Sequence, residues 1–135
     1  MPLQWSPSLA MGVPEIDRQH QELFSQVNEL LSAMASGQGR ERLLPLLEFL
    51  GRYATQHFRT EERYMSQYSY PAAAAHKQQH EAFVQAFGHL AAEAKAQGAS
   101  TDLTLKVQRQ VVDWLQSHVA GTDRSLGAYL RAKMG

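Results

Sequence analysis

The sequence predicts an all-α fold: an up-down-up-down four-helix bundle with an N-terminal arm and a short C-terminal helix. Three observations carry this expectation. Apolar residues recur every three to four positions over four long stretches, the spacing of one helix face. Breaks containing Gly, Pro and Ser separate those stretches, and connections of a few residues make neighbouring helices antiparallel. Strand-like alternation, internal repeats and low-complexity tracts are missing from the sequence.

The elements follow in order within a single domain, 1–135. Residues 1–13 hold Pro2, Trp5 and Pro7 with no helical period, and read as an ordered arm. The first helix, 14–36, opens at Pro14, a residue suited to a first turn. Glu15 and Asp17 sit at the positive end of its dipole, and it stops before Gly37. The second spans 41–68, with Pro45 marking either its first turn or an early kink. The third spans 72–97, between Tyr70-Pro71 and Gly98. The fourth spans 102–120 after Ser100-Thr101-Asp102, any of which can cap it. A short tail helix, 123–133, ends the sequence.

Composition narrows the function classes. At 135 residues and 44% hydrophobic content the chain can bury a core without covalent staples. It has no cysteine, which removes disulfides, iron–sulfur clusters and thiolate zinc sites, so any metal must be held by His, Asp or Glu. Thirteen basic and thirteen acidic residues cancel, so neither nucleic acid nor an anionic membrane is an expected partner. The first residues lack the charged and apolar regions of a signal peptide, and no apolar run is long enough to span a membrane. A cytoplasmic location and a monomer are expected.

The core seams carry the chemistry. They read Ile16, His20, Leu23, Val27, Leu30, Met34; then Leu47, Leu50, Ala54, His57, Glu61, Tyr64, Tyr68; then Ala73, His76, His80, Phe83, Phe87, Leu90; then Thr104, Val107, Val111, Trp114, His118. Positions four apart share a helix face, so His57 points with Glu61 and His76 with His80. In an antiparallel bundle all of these lie within roughly 5–16 Å of one end, at about 1.5 Å per residue. A single seam histidine is ordinarily a hydrogen-bonded core residue. Five at one level with a carboxylate are different, because each unsatisfied buried polar group costs about 1–3 kcal/mol. No buried cationic partners are evident, and metal coordination satisfies the whole set together. His89 is a control: nine residues past His80, it faces solvent. Asp123 is five residues past His118, about 140° away on a straight helix. Gly121 between them can end or distort that helix, which leaves Asp123 open between a ligand and a plain charge on the tail helix.

Five imidazoles and two carboxylates are too many for one ion. Calcium and magnesium prefer oxygen shells, whereas a carboxylate-bridged pair with imidazole caps suits iron, with manganese and zinc as alternatives. The motifs Asp17-Arg18-Gln19-His20, His57-Phe58 with Glu61-Glu62, Tyr70-Pro71 with His76 and His80, Trp114-Leu115 with His118, and Thr122-Asp123 together resemble the bacterial hemerythrins over nearly the whole chain.

That resemblance implies a metal set of His20, His57, Glu61, His76, His80, His118 and Asp123 holding two Fe ions. His76, His80 and His118 would cap one iron, and His20 and His57 the other. Glu61, Asp123 and an oxo or hydroxo group would bridge them. The second iron is then one ligand short, and dioxygen is the expected partner there, in a pocket walled by Leu23, Phe58, Trp114, Leu115 and Val119. The implied role is reversible oxygen carriage, storage or delivery to an oxygen-consuming enzyme, not catalysis. The rivals are a di-iron enzyme handling peroxide or nitric oxide, and an oxygen or iron sensor. The first needs a proton donor, for which Tyr64 and Tyr68 are the nearest candidates by sequence. The second needs an output domain, for which 135 residues leave no room. Thr122 is left open between entering the pocket and capping the tail helix.

Overall fold

Helix α1 (Pro14–Ala35) opens on Pro14 in the computed structural model, which describes residues 3–37 and 40–134. Pro2 of the expected arm lies outside the described residues. No side chain caps α1 at Val13. Asp17 reaches back instead, accepting the N–H groups of Met11 at 2.8 Å and Gly12 at 3.2 Å, which ties the arm to the first turn. The buried stripe of α1 contains every expected seam residue and adds Phe24 and Gln26.

Helix α2 (Arg40–Gln67) runs through Pro45, which lies inside the helix and not at its first position. Helix α3 (Ala73–Gln97) stops at Gly98. There φ is +74°, a conformation that side-chain-bearing residues rarely adopt, and the Gly98 N–H closes the last turn on the Ala94 carbonyl at 2.8 Å. Ser100 caps the next helix, its hydroxyl accepting the Leu103 N–H at 3.0 Å.

The fourth helix is built from α4 (Thr101–Val107), a π turn (Gln108–Asp113), α5 (Trp114–Ser117), a second π turn (His118–Asp123) and α6 (Arg124–Met134). The short C-terminal helix thus follows without a break. The junction residues Gln108, Trp114, His118 and Arg124 all keep right-handed helical angles. Gly121 does not end the helix; it sits inside the second π turn with open space where a Cβ would be. The register also differs from the expected seam. Leu103 is buried, and Thr104 points to solvent.

The described elements are helical throughout, apart from one 3-10 turn at Pro7–Leu9. Helix α1 packs along α2, α2 along α3, and α3 along the fourth helix. The core falls into two apolar clusters. The larger holds Leu23, Val27, Leu30, Leu47, Leu50, Phe83, Leu90, Val107, Val111, Leu115 and their neighbours. The smaller, at the end where α1 starts and α2 finishes, holds Met11, Val13, Ile16, Met65, Leu126 and Leu130. On every helix the buried histidines and carboxylates lie at the stretch where the larger cluster gives way to the smaller one.

The arm closes that end. The beginning of the arm runs back along α1 to the larger cluster, where Asn28 exchanges two hydrogen bonds with the Leu3 backbone, both 2.7 Å. Arg131 donates to the Met11 carbonyl at 2.6 Å. Gly127 is what lets α6 approach: a Cβ there would stand 2.8 Å from the Met11 oxygen and 2.9 Å from its Cα. Gly127→Ala should therefore push the arm off α6 and destabilise the fold by about 1–3 kcal/mol. A thermal melt with an unchanged midpoint would show that the close approach does not matter.

Candidate metal centre

All seven expected residues converge. His20 comes from α1, His57 and Glu61 from α2, His76 and His80 from α3, and His118 and Asp123 from the fourth helix. Each is at most 4% exposed, which takes water away as a partner. Their ligand atoms form two overlapping groups, each gathered within 4.8 Å: Glu61, His76, His80, His118 and Asp123 in one, and His20, His57, Glu61 and Asp123 in the other. Both carboxylates belong to both groups.

The atoms show how the sharing works. One Glu61 oxygen lies 3.1 Å from His20 Nε2 and 3.0 Å from His57 Nε2. The other lies 3.2 Å from His76 Nε2 and 3.0 Å from His80 Nε2. Asp123 repeats the division, with Oδ2 at 3.1 Å from His20 and Oδ1 at 3.0 Å from His76 and 3.2 Å from His118. Metal–ligand bonds of about 2.1 Å put neighbouring octahedral ligand atoms about 3.0 Å apart, so these spacings suit a coordination shell as well as hydrogen bonds.

Local helix geometry delivers Asp123. A π turn closes i to i+5, so it carries residue 123 back toward the face of His118, where an α-helix would rotate it away. The same device acts upstream. Leu103, Val107, Val111, Leu115, Val119 and Asp123 recur every four residues and are all buried. Strict four-residue spacing drifts off an α-helical face. Two π turns each absorb about one residue, so the twenty residues from Leu103 to Asp123 complete about five turns and stay on one side.

The hydrogen bonds around the donor set fit a metal site. Neither Asp123 oxygen meets a donor at hydrogen-bonding angles, although both are buried and lie 3.0–3.2 Å from histidine nitrogens. His80 donates its Nδ1–H to Glu62 at 2.9 Å, since a carboxylate can only accept. His118 Nδ1 meets the Gln79 amide oxygen at 2.8 Å, and His57 Nδ1 meets that of Gln19 at 2.7 Å. With Nδ1 as the donor, each neutral ring turns a bare Nε2 inward. His80 Nε2 and His118 Nε2 then face each other at 3.2 Å, an arrangement that a shared proton or a metal ion satisfies. The residues present fit a metal centre.

The sequence motifs contain Gln19 and Glu62 without assigning them a role, and Gln79 stands outside those motifs. The Thr122 hydroxyl does neither of the expected things; it donates to the Gln79 oxygen at 2.9 Å. Gln19 also donates to the Thr60 hydroxyl at 3.3 Å. A signal was available. Each of the three lies beside a candidate ligand in sequence, about 100° around the helix, and so reaches a ligand on the neighbouring helix.

The expected wall residues all lie in or against the larger apolar cluster. Leu23, Leu115 and Val119 are fully buried in the larger apolar cluster. Phe58 stacks on His80 at 4.0 Å and also lies 5.9 Å from the His57 ring, while Trp114 stacks on His118 at 4.4 Å. They cover the three-histidine group, because Trp114 is one turn before His118 and Phe58 faces α3. Tyr64 donates to Glu15 at 2.9 Å, and Tyr68 packs in the smaller cluster. The Tyr70 ring lies 6.4 Å from that of His76. His89 is exposed, as the helix-face control requires.

Without a metal, protons must supply the positive charge. Burial disfavours a charged His20, but its close contacts with Asp123 and Glu61 outweigh that and push its pKa up to about 10. His76 is pushed up to about 9 by the same opposition of burial and the two carboxylates. Burial works against ionised Glu61, yet His57, His20 and His76 hold its carboxyl well below the usual range. Asp123 is likewise held low by His118, His20 and His76, against both burial and the neighbouring Glu61 charge. A raised histidine pKa stabilises the fold fully below about 6.5 and loses that contribution as pH climbs through the folded value. A lowered carboxyl contributes above about 4 and loses it as pH falls. Metal-free protein should therefore lose stability between about pH 7 and 10, as His20 and His76 shed their protons. Metal uptake at pH 7 should release protons to the solvent. Denaturant titrations across pH and metal addition in weakly buffered solution measure both; flat stability and no proton release would contradict the assignment.

The sequence matches the model of the hemerythrin HHE cation binding domain over residues 11–130. It is 28% identical to a bacteriohemerythrin of Stenotrophomonas maltophilia over 98% of this chain and 84% of that protein. It is 32% identical to a bacteriohemerythrin of Methylococcus capsulatus over 86% of each. The crystal structure of a wild-type hemerythrin superimposes with a TM-score of 0.84 at 31% identity, covering 96% of this chain and 98% of that one. A cation-binding family match across nearly the whole bundle, on a chain whose buried polar residues are grouped to hold cations, makes this protein a member of the hemerythrin family.

Proposed function

We propose that the chain holds two iron ions between Glu61 and Asp123 and binds dioxygen reversibly at one of them. The observation that carries this reading is the unequal histidine count around two shared carboxylates. Three imidazoles stand on one side and two on the other, so one side is a ligand short and has room for a small exogenous one. Imidazole with bridging carboxylate suits iron better than the all-oxygen shells of calcium and magnesium. When bound, the iron pair supplies the electrons and the open position that dioxygen needs.

The chain's own residues favour carriage over turnover by excluding water. Leu23, one turn past His20, is 0% exposed, and Leu115 and Val119 are 1% exposed. The smaller cluster, sealed by the arm, closes the opposite side. Gln19, Glu62 and Gln79 fix three imidazoles so that their inner nitrogens need no reorganisation on binding. Tyr64 is engaged by Glu15 and is not poised to donate a proton to a bound ligand.

Metal analysis should find two irons per chain. Glu61→Ala or Asp123→Ala should abolish pair binding, since each residue serves both groups, whereas His89→Ala should leave iron content unchanged. One iron per chain, or loss of iron on removing His89, would overturn the ligand set. Reduced protein exposed to oxygen and then purged should return to its starting visible spectrum over many cycles. Leu23→Ala should still bind two irons, at a cost of about 2–5 kcal/mol in stability, and should survive fewer cycles because water enters. If purging never restores the reduced spectrum in the unaltered protein, the carrier reading fails and an enzyme handling oxygen or peroxide replaces it.

A further inference from the structure

The outer hydrogen bonds of the histidines are not equivalent. His57 is held by the neutral amide of Gln19 and His118 by that of Gln79. His20 and His76 have buried Nδ1 atoms with no partner. Only His80 is backed by a carboxylate, that of Glu62 at 2.9 Å. The three-histidine group therefore carries the one anionic outer partner found among the described residues, and the two-histidine group has none. A carboxylate behind an imidazole draws its Nδ1 proton outward and raises the electron density at Nε2, making it a stronger donor to a metal. The Glu62 side chain is 26% exposed and lines a groove between α2 and α3 with Arg59, Lys77 and Glu81. Water screens part of its charge there, so the effect on the pair is moderate.

We propose that Glu62, acting through His80, makes the three-histidine side of the pair the electron-rich side, so that the ion held there is oxidised first and reduced last. The proposal rests on reading the site as an iron pair. Glu62 is a positioning residue: it touches neither ion, and no bond is made or broken at it. One electron passes from that ion to a one-electron mediator on oxidation and returns from the mediator on reduction.

The test is a potentiometric titration of iron-loaded protein with mediator dyes, together with Mössbauer spectra of the half-oxidised form. Glu62→Gln keeps the hydrogen bond, because its amide oxygen can accept from His80, and removes only the charge. It should keep two irons, make reduction easier on the order of tenfold, about 59 mV for a one-electron step, and weaken the ferric localisation. Glu81→Gln makes the same charge change in the same groove without a bond to His80, and should shift the equilibrium less than about threefold. Equal shifts from the two variants, or none from Glu62→Gln, would overturn the proposal. If Glu62→Gln loses iron, Gln79→Glu provides the reverse change behind His118; it should make reduction harder, and an unmoved potential overturns the proposal. Iron analysis of the unaltered protein separates the two levels of inference, since fewer than two irons there counts against the iron-pair reading itself.

Discussion

Two fully buried carboxylates set the terms for the rest of this molecule. Glu61 and Asp123 lie at 0% exposure in the middle of a helical core, ringed by five imidazoles. A pair of like charges in a dry interior is costly unless cations or protons compensate it. The antiparallel order of the helices brings the compensating groups to one level, and the apolar clusters on either side keep water from doing the task in their place. The same low polarity that makes the site expensive makes each interaction inside it strong. Without cations, the site leans on protonated His20 and His76.

The fourth helix shows how far backbone geometry bends to this requirement. A regular α-helix could not keep Leu103, Val107, Val111, Leu115, Val119 and Asp123 on one face, because steps of four residues overshoot each turn. Two π turns take up the surplus. Each gives up ideal helix hydrogen bonding, and such turns gather at functional positions for that reason. The second spans His118 to Asp123, so the distortion lies where two of the convergent side chains must share a face.

Outside the convergent atoms, a layer of polar contacts holds the rings in place. Gln79 accepts from both His118 and Thr122, which joins α3 to the end of the fourth helix. Gln19 links His57 to Thr60 and so joins α1 to α2. Phe58 and Trp114 press flat on His80 and His118 from the core side. Ring orientation is thereby set from two directions, hydrogen bonds outside and stacking inside. The arm belongs to the same scheme, because Met11 and Val13 complete the apolar cluster that covers the end nearest the histidines.

Much of this was legible in the sequence, because helix periodicity is a local property. Seams of three- and four-residue steps, Pro14, Gly98 and the Ser100 cap all act through nearby backbone. Those seams were enough to bring six of the seven convergent residues to one level and to send His89 outward. Asp123 was not readable by that rule, since its place depends on a π turn that an α-helical wheel excludes. The unbroken four-residue recurrence from Leu103 to Asp123 was the sequence trace of it. The partners of the histidines were decided only by tertiary structure. Gln19, Glu62 and Gln79 flank one ligand in sequence but serve another across a helix interface, and Phe58 and Trp114 found rings on the three-histidine side. Such pairings depend on how two helices are rotated against each other, and no single-helix pattern contains that angle.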